Sequence, residues 1–218
     1  MQATLPAPAK RRKPTQSRSR ATTQAIEQAF VQLLVERGYE RVSIRQVLAL
    51  AGVSVGSFYE YFASKEALAA ICIRQRVLGI ASAMTERLAG LENEALPVRV
   101  DALLEAQVQA VLAEPEQWAV LFHLERQVSK PAAFRQGYLE FVQLWERGLS
   151  AGADWPADTP LADAAFAAHA IAYSLVSQTL MARSVCPDPA ALRALLRKAV
   201  HGYLSAVAPR AYRCFLTF

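Results

Sequence analysis

The sequence predicts an all-α protein: an N-terminal three-helix unit containing a helix-turn-helix, then a larger C-terminal helical bundle. Three observations carry this prediction. From Arg20 onward, apolar residues recur at steps of three and four in successive windows. Prolines and short proline-containing stretches punctuate those windows at Pro97, Pro115, Pro131, 152–160 and 186–189. No window alternates apolar and polar residues between turn dipeptides, as strands would require. Apolar residues form 53% of 218 positions, enough for a core and incompatible with wholesale disorder.

Taken in order, residues 1–19 read as a flexible basic arm, with Pro6, Pro8 and Pro14 and little to bury. The charge is unevenly placed. Lys10, Arg11, Arg12, Lys13, Arg18 and Arg20 are six positive charges with no acid among the first twenty residues. The formal net charge of +5 therefore becomes −1 over residues 21–218, so a basic arm precedes an almost neutral body.

Residues 20–66 read as the helix-turn-helix domain. Ile26, Ala29, Phe30, Leu33 and Leu34 give one apolar face, which Gly38 terminates. Ser43 can cap a short helix carrying Ile44, Val47, Leu48 and Ala51, and Gly52 closes it. Ser54 can cap a second short helix with Phe58 and Phe62 inward. Ser64 then opens a long helix with Leu68, Ile71, Cys72 and Leu78 on its buried stripe. Two short helices around a glycine turn can lay the second one in a DNA major groove while the first crosses the backbone. That second helix presents Ser54, Val55, Gly56, Ser57, Tyr59 and Tyr61 outward, a small and uncharged set. Gly56 inside a helix costs about 1 kcal/mol relative to alanine, which close approach of backbone to DNA would explain.

The string from Ser43 to Leu68, SIRQVLALAGVSVGSFYEYFASKEAL, together with the preceding Arg37-Gly38-Tyr39, resembles the signature of the tetracycline-repressor (TetR) family of bacterial transcription regulators. The resemblance covers roughly residues 18–70. Ser43 stands where threonine is usual, and either hydroxyl can cap; Val47-Leu48 replaces a common Ile-Ala pair. The resemblance implies a homodimeric DNA-binding repressor that leaves its operator when a ligand binds the C-terminal bundle. It implies Ser43 and Tyr59 at phosphates, Val55, Gly56, Ser57 and Tyr61 at or near base edges, and Lys65 at a phosphate. Lys65 also opens the long helix, a position that attracts phosphate for its own reasons.

Between Ser54 and Tyr61 there is no Arg, Lys, Asn or Gln, so this helix cannot read guanine or adenine by a bidentate contact. Readout then rests on Val55 against thymine methyls, on hydroxyls, and on DNA shape. Arg45 can reach a base, a phosphate or solvent. Arg18, Arg20 and Lys10–Lys13 can add phosphate contacts or enter the minor groove; a merely solubilising tail is the alternative.

Residues 67–218 read as a ligand-binding and dimerisation domain, with further helices near 97–113, 117–129, 132–150, 160–183 and 190–207. Helices 160–183 and 190–207 are rich in small residues (Ala162, Ala164, Ala165, Ala167, Ala168, Ala170, Ala172, Ser174), with Leu192, Leu195, Leu196, Val200, Tyr203 and Leu204 as an apolar stripe. In the family this pair packs against its twofold mate, which would set two half-sites of a pseudo-palindromic operator about one helical turn apart. The alternative is that both stripes face the domain's own core. Trp118, Phe122, Phe141 and Trp145 suit an apolar cavity for an unidentified small-molecule effector, with His123, Gln127, Gln143 or Gln178 as polar handles; a plain core is again the alternative.

Other classes find little support in the residues. Val120, Phe166 and Lys198 lie three residues before His123, His169 and His201, so no Glu-x-x-His metal motif exists. Neither zinc spacings nor a Gly-x-Ser-x-Gly elbow occurs, and no cofactor is expected. Cys72, Cys186 and Cys214 suit a reducing cytoplasm rather than a disulfide framework. Cys72 is either a buried core thiol or a redox sensor. No membrane span or secretory signal is expected. A ligand-independent repressor or activator of the same fold, and an all-α enzyme, are the competing functional readings.

Overall fold

The computed structural model describes residues 14–151, 154–182 and 188–212. They form α1 (Pro14–Arg37), a 3-10 turn (Tyr39–Arg41), α2 (Ile44–Ala51), α3 (Val55–Tyr61), α4 (Lys65–Leu88), α5 (Leu96–Ala113), α6 (Pro115–Val128), α7 (Pro131–Ser150), α8 (Leu161–Ala182) and α9 (Pro189–Val207). No strand occurs among the described residues. The chain divides into two compact units, with the boundary inside α4 after Leu68. The sequence pattern alone places it two residues earlier.

In the first unit, α1 packs on α2. Ile26, Phe30, Leu34, Val47, Leu48, Phe58 and Phe62 are buried together as the spacing predicts. Gly38 and Gly52 take positive φ (74° and 66°), a region L side chains rarely enter, and both end helices there. The first helix begins at Pro14 rather than Arg20, so residues 14–19 are helical and not arm. Proline's missing N–H is harmless in a first turn, where no acceptor awaits it. Lys10–Lys13 and the side chain of Arg18 lie outside the described residues.

In α4 the buried row is Leu68, Cys72, Ile80 and Met84, a four-residue step. Leu78, expected on that row, is 43% exposed, because ten residues from Leu68 the helix has turned about 80° off it. By length and composition α4 could cross a membrane. Arg74 and Arg76 at its middle oppose that, and Arg76 is ion-paired with Glu114 at 2.9 Å.

The second unit packs α8 against α6, α7 and α9, and α5 against α7 and α9. Trp145 is fully buried, its indole N–H donating to Gln107 Oε1 at 3.3 Å. A methyl at Gly148 would lie 2.5 Å from Cδ1 of Leu103, so a larger residue there would make the Leu103 side chain shift. Arg99 is fully buried beside them and clamps three segments. It donates to the carbonyls of Gly148 (2.9 Å), Glu94 and Leu149 (3.4 Å), and to Asp154 Oδ1 (2.7 Å). Asp154 Oδ2 in turn accepts the N–H of Leu96 at 2.5 Å.

Leu192, Leu196, Val200 and Leu204 face this unit's own core, as do Ala164, Ala165, Ala168 and Ala172. The stripe expected at a dimer interface is thus spent inside the chain. What faces outward is a smaller set: Ala162 and Ser174 on α8, and Ala191, Ala194, Leu195, Gly202 and Ala206 on α9.

Candidate nucleic-acid interface and ligand cluster

The candidate interface begins with two capped helices. Ser43 Oγ accepts the N–H of Gln46 (3.4 Å), and Gln46 Oε1 accepts the N–H of Ser43 (2.9 Å), a reciprocal capping box. The Ser43 hydroxyl also meets Gln46 Oε1 at 3.0 Å, so capping occupies the group expected at a phosphate. Ser54 caps α3 by accepting the N–H of Ser57 at 3.3 Å, with the two hydroxyls 3.0 Å apart.

Phe58 anchors α3 from below, in edge contact with Tyr59 (5.2 Å) and tilted on Phe62 (5.4 Å). With that side fixed, the opposite one stands free. Val55 and Tyr59 are each 58% exposed, Ser54 and Gly56 are exposed, and Ser57 and Tyr61 are half-buried. Nothing except Ser54 Oγ, at 4.0 Å, comes within reach of a methyl at Gly56. The fold itself therefore does not need glycine there. Arg20 and Arg45 are exposed on α1 and α2.

Lys65 is engaged within its own unit as well. Its ammonium donates to the carbonyls of Tyr39 (3.1 Å) and Val42 (3.2 Å) and lies 4.1 Å over the Tyr39 ring. Two of its three donors are thus committed to tying the 3-10 turn, just before the Ser43 cap, to the start of α4. Those bonds hold the turn in place and leave the ammonium one further donor. Burial, with Glu66 adding to it, pushes the Tyr39 hydroxyl up to about 12.

In the second unit, Trp118, Phe122, Phe141 and Trp145 are all buried in one core. The expected polar handles are not among them. His123, Gln127, Gln143 and Gln178 are exposed, each on the solvent side of a helix whose aromatic row turns inward. The histidine that lies among these rings is His169, stacked on Phe141 (5.3 Å, 13°) and met by Tyr138 at 4.5 Å. The sequence signal for it is the four-residue step from the inward Ala165 to His169 on α8, masked by the alanines around it. Tyr173, four residues on, donates to Glu125 Oε2 at 2.9 Å; burial raises that carboxyl despite the bond. Burial also pushes His169 down to about 4, so it is neutral near pH 7.

A stability effect follows. Between pH 6.5 and about 4 the unfolded chain binds a proton at His169 that the folded chain does not. As pH drops through that window, folding stability is expected to fall by up to about 1.4 kcal/mol per pH unit. His169→Phe should flatten this part of the profile in urea titrations read at several pH values. An unchanged slope would show that His169 is solvated in the folded state.

Among the described residues, no group of three or more His, Cys, Asp or Glu side chains could hold a metal. Cys72 is buried, as the core reading of it requires. Cys186 and Cys214 lie outside the described residues.

The helix-turn-helix and the bundle both have counterparts in known proteins. Residues 26–71 match the family model described as bacterial regulatory proteins, tetR family. The Transposon Tn10 TetC protein of Escherichia coli is 32% identical over 72 residues, 33% of this chain and 36% of that protein. The match thus spans about a third of that relative's length. Among solved structures, a putative transcriptional regulator from Pseudomonas aeruginosa PAO1 superposes with a TM-score of 0.68 at 21% identity, over 94% of this chain and 96% of that one. The fatty acid degradation regulator FadR from Bacillus halodurans gives 0.69 at 17% identity, over 82% and 97%. A TetR transcription regulator from Haloarcula marismortui ATCC 43049 gives 0.69 at 18%, over 85% and 97%. At such identities the structural likeness establishes the fold.

Proposed function

The chain belongs to the tetR family of bacterial regulatory proteins, and we propose that it is a homodimeric repressor which leaves a pseudo-palindromic operator when a small effector enters its C-terminal unit. The observation that carries the DNA half of this reading is the outward side of α3. Val55 and Tyr59 are largely exposed around a bare Gly56, on a helix whose other side is locked by Phe58. Exposed apolar and aromatic groups, with Glu60 the single charge on the helix, make a poor solvent face and a good groove face. Val55 meets thymine methyls, Ser57 and Tyr61 lie near base edges, and Tyr59, Ser54 and the arginines Arg18, Arg20 and Arg45 meet the backbone. Ser43 and Lys65 serve by fixing the position of α2 rather than by first contact.

Dimerisation uses the outward small-residue sides of α8 and α9, which let two helix pairs approach closely. In-vitro selection from a randomised duplex pool tests the reading. It should enrich two dyad-related half-sites about one helical turn apart. A pool that stays unenriched after repeated rounds would overturn it.

The arm adds a second, electrostatic component. Deleting residues 1–13 removes Lys10, Arg11, Arg12 and Lys13. The slope of log affinity against log salt should then shrink by roughly 1 for each phosphate that the arm no longer neutralises. Anisotropy titrations at several salt concentrations measure this, and an identical slope would leave the arm with no part in binding.

A further inference from the structure

Two buried side-chain atoms have no hydrogen-bond partner among the described residues: Nδ1 of His169, which is 2% exposed, and Oγ of Ser177, which is fully buried. Unmet polar atoms of this kind are costly and uncommon, and a missing ligand is one of the few reasons a fold keeps them. Both lie on α8 in one i, i+4, i+8 row with Tyr173 between them. Around His169 the rings form a continuous array. Phe141 stacks beneath it, Tyr138 meets its edge, and Tyr138 lies 5.9 Å from Tyr173 at 81°. The array continues outward through Phe134 and Phe166, which are 39% and 50% exposed. An aromatic path thus runs from the surface to an unsatisfied imidazole nitrogen.

We propose that this array binds an uncharged, planar aromatic molecule bearing a hydroxyl group, its rings among Tyr138, Phe141 and Tyr173 and its hydroxyl on Nδ1 of His169. The proposal rests on the effector reading above and names the class of effector. Offset and edge-on ring contacts favour a flat aromatic guest. A hydroxyl both donates and accepts, so it satisfies His169 in either tautomer. Charge is what the site cannot serve. His169 is neutral, and the carboxyl that reaches the array, Glu125 on Tyr173, already has Arg126 beside it. An ionised guest would lose its water and gain no counter-charge.

The test uses the full chain and three probes of nearly equal size: 2-naphthol, naphthalene and 2-naphthoate, titrated by calorimetry. 2-Naphthol should bind at least about tenfold more tightly than either of the others, the worth of one hydrogen bond to a buried partner. His169→Phe, which keeps the ring and removes both nitrogens, should erase that preference. His169→Gln, which restores a polar partner, should return part of it and guards against a variant that misfolds. Equal binding of the three probes, tighter binding of naphthoate, a preference that survives in His169→Phe, or no binding of 2-naphthol would each overturn the proposal. Release of a selected duplex by naphthalene or naphthoate without preference for 2-naphthol would overturn it while leaving the effector reading in place. A chain that never binds a selected duplex would overturn that reading, and the calorimetry would still decide the naphthol preference.

Discussion

Gly56→Ala should make the free protein more stable and its DNA complex weaker. The two effects come from different states. In the free chain a methyl at position 56 meets nothing closer than Ser54 Oγ at 4.0 Å, so alanine only improves a helix, by about 0.5–1 kcal/mol. In the proposed complex the same methyl would lie between the helix backbone and the groove. Affinity for a selected duplex should fall about tenfold with alanine, a change of roughly 1.4 kcal/mol as the methyl holds the helix off the groove floor. Gly56→Glu should go further, on the order of a hundredfold or more, because it adds a negative charge facing phosphates. Helical content by circular dichroism should not change in either variant. A duplex affinity unaltered in Gly56→Glu would mean that α3 does not lie in the groove.

Arg99→Met should destabilise the C-terminal unit by roughly 3–5 kcal/mol, measured by urea denaturation. Methionine fills much of the volume and removes the guanidinium. The carbonyls of Gly148, Glu94 and Leu149 then lose their donor inside a packed interior, and Asp154 loses its cationic partner while keeping the N–H of Leu96. The lower end of that range is the better expectation, since Asp154 is 29% exposed and can recover water. Arg99→Lys should rescue little, because one ammonium cannot span a fork of acceptors on three segments. A loss below about 1 kcal/mol for Arg99→Met would show that these bonds merely replace equivalent water contacts.

Helix positions were legible to within a few residues because their punctuation is local. Pro97, Pro115 and Pro131 sit in first turns, and Ser43, Ser54 and Asp188 cap the helices that follow them. The same proline rule explains the miss at Pro14, which reads as a breaker within a basic, proline-containing stretch yet serves as a helix start. The outward side of α3 was legible because a seven-residue helix anchored by Phe58 has little freedom in which residues it shows. Lys65 was harder. Its partners are backbone carbonyls 23 and 26 residues away, and no side-chain pattern announces a carbonyl.

The ligand cluster was the least legible part. His123 sits among apolar neighbours in sequence but points outward, whereas His169 sits among alanines and points into a ring array built by α7. Contacts between helices decide that, and a single helix's spacing leaves it open. The apolar stripe of α9 failed in the opposite sense. Leu192, Leu196, Val200 and Leu204 satisfy the pattern of a dimer seam and equally that of an internal face, and the chain's own core takes them. Arg99 gave no signal at all, since an arginine in a first turn ordinarily reads as solvated.

The central claim is that α3, and not another surface, meets DNA. Amide hydrogen exchange of the full chain, with and without a selected duplex, tests it most directly. The expected result is slowed exchange concentrated in residues 43–61, with no comparable change in α5, α6 or α7. Slowed exchange confined to the C-terminal unit, with residues 54–61 unaffected by the duplex, would contradict the account.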